Sequence, residues 1–276
     1  MSGVSAPSLD RGFPGPLRAE RSVSEAAASR FRLDGRVALV TGASSGLGER
    51  FAVALRHAGA EVAITARRAE RLGRLAEVLG DGTISVAGDI RQPEVRAALV
   101  SRIGDQHGRL DVLVNNAGGC DGGPLERQTL AEIVDVIDLD LVAPIDLCRL
   151  AAPLLFASAG ASVINVASIF GQVGSRAPMA AYNASKGALV NFTRHLAAQW
   201  GHRGVRVNAL APGYFPTDLT GHLTDPGHRA AIERRTLLGR IPDTTELDGP
   251  LVFLASDAAS YVTGQVLTVD GGWTAT

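Results

Sequence analysis

A chain of 276 residues with 46% hydrophobic content can bury one large core, and its length demands no more than a single α/β domain. A formal net charge of −1 gives no basis for binding nucleic acid or another polyanion. No apolar run reaches the ~18 residues of a membrane span; the longest candidate, from Leu150 through Ser168, is broken by Pro153 and Gly160.

Residues 1–32 are rich in Ser, Ala, Pro, Gly and Arg and lack an apolar signal region, so they are expected to form a flexible extension rather than a secretory signal. Asp10, Glu20 and Glu25 argue against an Arg-rich targeting peptide. Residues 33–276 are read as one domain. Within it, short apolar runs alternate with helical stretches. The runs RVALVT, EVAIT, TISVAG and LDVLVN read as the first four strands, and ASVINVAS, VRVNALA and QVLTVD as the last three. Helical spacing fills the segments beginning at Gly48, Arg68 and Pro93. Residues 129–157 read as helix, with Pro144 and Pro153 as kinks or breaks. A long helix is expected over 181–202 and a short one near 246–256. Such alternation implies a doubly wound α/β fold, a mostly parallel seven-stranded sheet with helices on both faces. Near-continuous apolar strands are what burial on both sides requires. Ligands in these folds bind beyond the carboxyl ends of the strands, so function is sought in the residues that follow each one.

After the first strand comes TGASSGLG, with Gly42, Gly46 and Gly48. Glycines allow a tight turn and close approach to a phosphate, and the following helix offers its free N–H groups. The spacing is not the usual dinucleotide fingerprint, but its place between strand and helix points to a nucleotide. After the second strand stand Ala66, Arg67 and Arg68, with no carboxylate to grip a ribose 2′-hydroxyl. The guanidinium of Arg67 suits a 2′-phosphate there, which favours NADP(H) while leaving NAD(H) open. Arg68 can equally be a solvated helix start.

The chain resembles the short-chain dehydrogenase/reductase family over roughly residues 33–274. The resemblance rests on TGASSGLG, NNAG at 115–118, INVAS ending in Ser168, YNASK at 182–186, PGYFPT at 212–217 and the ending VTGQVLTVDGGW, in that order. It implies a Rossmann-like fold and roles by position. Gly42, Ser44, Ser45, Gly46, Leu47 and Gly48 would line the pyrophosphate and adenosine ribose. Asp89 and Ile90 would hold the adenine, and Asn116, Ala117 and Gly118 would pass beside the cofactor. Pro212, Gly213, Phe215 and Thr217 would hold the nicotinamide end. Ser168, Tyr182 and Lys186 would carry the chemistry, with Tyr182 and Lys186 also touching cofactor. It further implies a homo-oligomer, tetramer or dimer, packed through the helices near 129–157 and 181–202. Bacterial members acting on sugar acids such as gluconate, or on 3-oxoacyl thioesters, look most similar.

Physical reasoning reaches the same residues. Hydride transfer to a ketone builds negative charge on its oxygen, so a proton donor must be in place. Tyrosine, with an ordinary pKa near ~10, is expected to be tuned downward by an ammonium one helical turn away. Lys186 is the only lysine in a chain with 27 Lys plus Arg. Arg supplies charge as a broad planar fork, whereas Lys is a compact, rotatable donor able to reach ribose hydroxyls and join a proton relay. One position departs from the family's pattern. Asp140, in DLDL, stands where an Asn is usual; it can accept the same hydrogen bonds but cannot donate an amide N–H.

Other side chains weigh less. The six histidines show no metal-ligand spacing, and no metal is expected. His222 and His228 fall in a polar stretch that could cover the substrate as a lid. Tyr214 is a candidate pocket wall, residues 172–174 a candidate entrance, and Trp273 a candidate subunit contact. Cys120 and Cys148 read as one loop and one buried thiol, in keeping with a reducing, cytoplasmic setting. The expected activity is an NADP(H)-preferring reduction of a small-molecule ketone, or the reverse alcohol oxidation. Alternatives are a nucleotide-binding sensor or scaffold with little turnover, and imine reduction on the same site.

Overall fold

The computed structural model describes residues 23–120 and 123–275. Seven strands form one sheet in the order β3-β2-β1-β4-β5-β6-β7. They are β1 (Val37–Thr41), β2 (Glu61–Ala66), β3 (Ile84–Ala87), β4 (Val112–Asn115), β5 (Ser162–Val166), β6 (Arg206–Pro212) and β7 (Val266–Val269). Every pairing is parallel, so the expected "mostly parallel" sheet is parallel throughout.

Strand side chains alternate faces, and the two faces bury two different sets of helices. Ala38, Val40 and Ile64 pack with α2 (Gly46–His57), α3 (Ala69–Leu79) and α9 (Asp248–Ala255). Val37, Leu39 and Ala63 pack with α4 (Pro93–His107), α6 (Ala143–Phe156) and the C-terminal part of α7 (Ala180–Trp200). Strand residues are therefore apolar in succession, which explains why they read as unbroken hydrophobic runs.

Three segments differ from the sequence reading. Residues 129–157 do not break at a proline. A capping box between Thr129 and Glu132 opens α5 (Leu130–Ile137), a π-helical stretch follows at Asp138–Val142, and α6 continues from it. Pro144 sits where α6 takes over from the π-helical stretch, and Pro153 is accommodated inside α6. Part of the expected flexible extension is structured. Val23–Ser29 forms α1, and Arg30 joins the domain by donating to the Asp257 carbonyl and accepting from the Ala258 N–H, both at 3.1 Å. Residues 1–22, including any targeting signal, lie outside the described residues. The polar stretch after β6 forms a 3₁₀ segment, Asp218–Thr224, and α8 (Pro226–Arg235).

A buried polar chain ties the sheet to α7. Asn115 donates to Asn165 at 2.8 Å, Asn165 donates to Thr193 at 2.9 Å, and Thr193 returns a bond to the Leu189 carbonyl. Asn165 and Thr193 are fully buried. Buried polar groups are costly unless partnered, so this chain fixes the position of α7 against β4 and β5. Tyr182 and Lys186 ride on that helix.

Candidate active site

The carboxyl ends of β1, β2, β4, β5 and β6 open into a cavity of about 580 Å³. Every residue that the sequence nominates for the cofactor lines this single cavity, as do Ser168, Tyr182 and Lys186. Asp140 does not; it lies fully buried behind Gly118 and Gly119.

The turn after β1 is a cradle that only glycine permits. A Cβ on Gly48 would come within 2.3 Å of the Gly42 carbonyl oxygen, and one on Gly42 within 2.8 Å of the Ala117 Cα. Gly42 and Gly46 have positive φ. Thr41 holds the neighbouring loop against the turn, its hydroxyl accepting from the Asn116 and Ala117 N–H groups at 3.0 and 2.9 Å. Asn116 donates its side-chain amide to the Thr41 carbonyl at 2.8 Å. The open N-terminus of α2 follows, and Ser45 at its cap makes no side-chain capping bond. These features fit the pyrophosphate of a dinucleotide.

Arg68, which the sequence left as a plausible solvated residue, is drawn into the cradle. Its Nε donates to the Ser44 hydroxyl at 3.1 Å, and its Nη2 donates to the Ser45 hydroxyl. Asp218 pairs with it at 3.3 Å. Arg67 lines the cavity beside it and is exposed. The sequence nominates Arg67 for the phosphate; the end of β2 aims its neighbour Arg68 across the turn, and both residues are exposed. Asp89 is clamped by Arg91, which holds its carboxyl below the ordinary range.

At the other end, Ser168 leaves β5 in extended conformation, and its hydroxyl accepts the Phe170 N–H at 3.1 Å, opening a tight turn at Ile169–Gly171. Gly171 lets that turn lie on α7, since a Cβ there would stand 2.7 Å from the Lys186 carbonyl oxygen. The Ser168 side chain is thereby hydrogen-bonded toward the Tyr182 phenol. Lys186 is buried; its Nζ donates to the Val166 carbonyl at 3.1 Å and lies 5.5 Å from the centre of the Tyr182 ring.

The expected downward shift of Tyr182 is not the net result. Burial raises its pKa, and the opposing effects of the Lys186 charge and the Ser168 hydrogen bond do not overcome it. The chain by itself therefore holds Tyr182 as the neutral phenol at neutral pH. That is the proton-donating form.

Asp140 sits in the π-helical stretch with one carboxylate oxygen accepting the Gly119 N–H at 2.9 Å. The other oxygen has no hydrogen-bond partner among the described residues and lies 3.7 Å from Lys186 Nζ. Burial raises its pKa despite the ammonium. Its charge in turn works against ionisation of Tyr182.

The comparisons agree with this geometry. A family model described as enoyl-(acyl carrier protein) reductase matches residues 42–274. The chain belongs to the short-chain dehydrogenase/reductase family. Among relatives of this short-chain dehydrogenase/reductase, cis-4-hydroxycyclohexanecarboxylate dehydrogenase of Sinomonas cyclohexanicum is 40% identical, covering 87% of this chain and 97% of its own. The 3-oxoacyl-[acyl-carrier-protein] reductase of Vibrio cholerae is 36% identical, covering 87% and 98%. A gluconate 5-dehydrogenase from Burkholderia cenocepacia, solved in complex with NADP and tartrate, superposes with a TM-score of 0.86 at 34% identity, covering 91% and 99%. The protein is thus an oxidoreductase of the short-chain dehydrogenase/reductase family with a Rossmann-like fold.

Among the other nominated residues, Tyr214 lines the cavity. Residues 172–174 do not, and Gln172 instead donates to Thr268 at 2.9 Å. His228 is exposed beside the helix-capping Asp225, away from the cavity. Trp273, expected at a subunit contact, is buried within the chain against Phe170 and Tyr214. Cys148 is buried and its thiol is pushed up to about 12 by desolvation, while Cys120 lines the cavity. Among the described residues no cluster could hold a metal ion, and no helix is long and apolar enough to cross a membrane.

Replacing Asp140 by Asn tests the reading of the buried pair. A carboxyl whose folded pKa is raised loses stability as pH rises from the ordinary carboxylate range through the folded value. Asp140→Asn is therefore expected to melt higher than the parent at pH 8, with the gap closing on acidification, as followed by thermal unfolding across pH. Removing a charge that opposes the phenolate is also expected to move the acid-side limb of alcohol oxidation, where the phenolate base is lost, to lower pH.

Proposed function

We propose that the protein transfers a hydride between NADP(H) and a ketone or secondary alcohol, with Tyr182 as the acid/base. The observation that carries this is the convergence of Ser168, Tyr182 and Lys186 on one cavity whose other end is a glycine cradle. A nicotinamide dinucleotide bound there supplies or accepts the hydride. In reduction, Tyr182 gives its phenolic proton to the oxygen that gains charge, and Ser168 hydrogen-bonds the same oxygen. Lys186 sustains the phenolate that remains. In oxidation the same groups act in reverse, with the phenolate as base. Asp140 sets the charge balance behind Lys186 as a positioning residue.

Several features support NADP(H) over NAD(H). The end of β2 carries two guanidinium groups and no carboxylate, and Arg68 is held by the cradle's own serines. We also take the protein to be a homo-oligomer, an idea supported by exposed Leu130, Val134, Val142 and Ile145 along the 129–157 helical segment. The Cys148 thiol, sealed in the core, fits a cytoplasmic setting.

Consumption of NADPH and NADH is to be followed over a panel of hydrocarbon ketones, keto-sugar acids and 3-oxoacyl thioesters. Carbonyl-dependent consumption, faster with NADPH, is expected. Tyr182→Phe should lower turnover about 10²–10⁴-fold with cofactor binding retained. NADPH binding without turnover on any carbonyl would instead favour a sensor. Arg68→Ala should weaken NADPH binding by roughly 10–100-fold, the worth of a charged hydrogen bond, while changing NADH binding little. Equal losses for both cofactors would remove Arg68 from phosphate recognition.

A further inference from the structure

Resting on the reductase reading above, we infer that the substrate is a ketone with hydrocarbon on both sides of the carbonyl, not a hydroxylated sugar acid. The wall beyond the Tyr182 hydroxyl is aromatic and sulfur-rich. Phe170, Tyr214, Met179 and Cys120 line it, with Cys120 Sγ 3.8 Å from Met179 Sδ. Phe170 and Tyr214 meet edge-to-face with ring centroids 6.0 Å apart. Trp273 backs both, at 5.6 Å from Phe170 and 5.8 Å from Tyr214. These rings pack in one cluster with Tyr182 itself, so the apolar wall is continuous with the proton donor.

The charged groups of the cavity are elsewhere. Among its described lining residues the cations are Arg67, Arg68, Arg91 and Lys186. Arg68 belongs to the glycine cradle, where it pairs with Asp218, and Arg91 is bound to Asp89 and Asp135. Arg67 stands beside Arg68 after β2, and Lys186 is buried against the Val166 carbonyl. Arg176 and Arg235 are exposed and do not line the cavity; the Arg235 guanidinium is stacked 3.5 Å from the centre of the Trp273 ring. A sugar acid brings one carboxylate and several hydroxyls, each of which loses water on entry. Burying such groups without a partner is costly, and among its described residues Phe170 and Met179 give this wall no strong hydrogen-bonding group. Hydrocarbon flanks gain from the same surface.

The test compares kcat/KM for 4-methylcyclohexanone, 5-keto-D-gluconate and acetoacetyl-N-acetylcysteamine, using the full-length protein and saturating NADPH. The inference expects the cyclic ketone to exceed the keto-sugar acid by about a hundredfold or more, and to exceed the thioester. A preference for the sugar acid or the thioester would overturn it while leaving the reductase reading intact. Absence of consumption with all three and with every other carbonyl of the panel would overturn both. Phe170→Ala is expected to raise KM for the cyclic ketone about tenfold or more, with a smaller change for 5-keto-D-gluconate; equal changes for the two would remove Phe170 as a determinant of the preference.

Discussion

One buried ammonium organises the candidate site of this protein. Lys186 lies below the surface, with a carbonyl from β5 at 3.1 Å, the Asp140 carboxyl at 3.7 Å and the Tyr182 ring beside it. A buried charge is tolerated only with partners, and each partner here comes from a different element. Val166 ends the fifth strand, Asp140 comes from the π-helical stretch, and Tyr182 lies a turn earlier on the same helix. The cluster forms only when sheet and helices are docked. Its charge balance therefore depends on tertiary structure more than on any local motif.

That docking follows from the parallel sheet. With every strand pointing the same way, the ends of β1, β2, β4, β5 and β6 open on one side, where the glycine cradle, the Asn116 loop and Ser168 meet. The Asn115–Asn165–Thr193 chain then fixes α7 against the sheet. Close approaches complete the arrangement. Gly118 leaves room for Asp140 and Lys186, since a Cβ there would stand 3.0 and 3.2 Å from their polar atoms. Gly171 does the same for the turn that carries Ser168. The cavity that results is polar and charged at the cradle and aromatic beyond Tyr182, a division that matches a phosphorylated cofactor and an apolar substrate.

The strands and the cavity-lining residues were legible in the sequence because apolar runs, glycines and strand ends are local signals. What escaped depends on three dimensions. Arg67 was the arginine nominated for the phosphate, whereas only the direction of the chain after β2 shows Arg68 reaching Ser44 and Ser45. Pro144 and Pro153 suggested kinks or breaks, but both lie within α6, and the irregularity is the π-helical stretch before it that carries the buried Asp140. Asn165, a polar residue inside an apolar strand, was a signal that went unused. Trp273 looked like an interface residue because its partners, Phe170 and Tyr214, are distant in sequence. The direction of the Tyr182 shift also escaped, since a motif shows the ammonium but not the extent of burial.

The packing around position 186 calls for a compact ammonium rather than positive charge alone. Lys186→Arg separates the two, because it keeps the charge but replaces a rotatable point donor with a planar fork. The space is bounded by Val166, Asp140 and Gly118. The measurement is carbonyl-dependent NADPH turnover of Lys186→Arg beside the parent, with circular dichroism to establish that the variant is folded. A folded variant with turnover reduced about a hundredfold or more is the predicted result. A folded variant that turns over within a few-fold of the parent would contradict it.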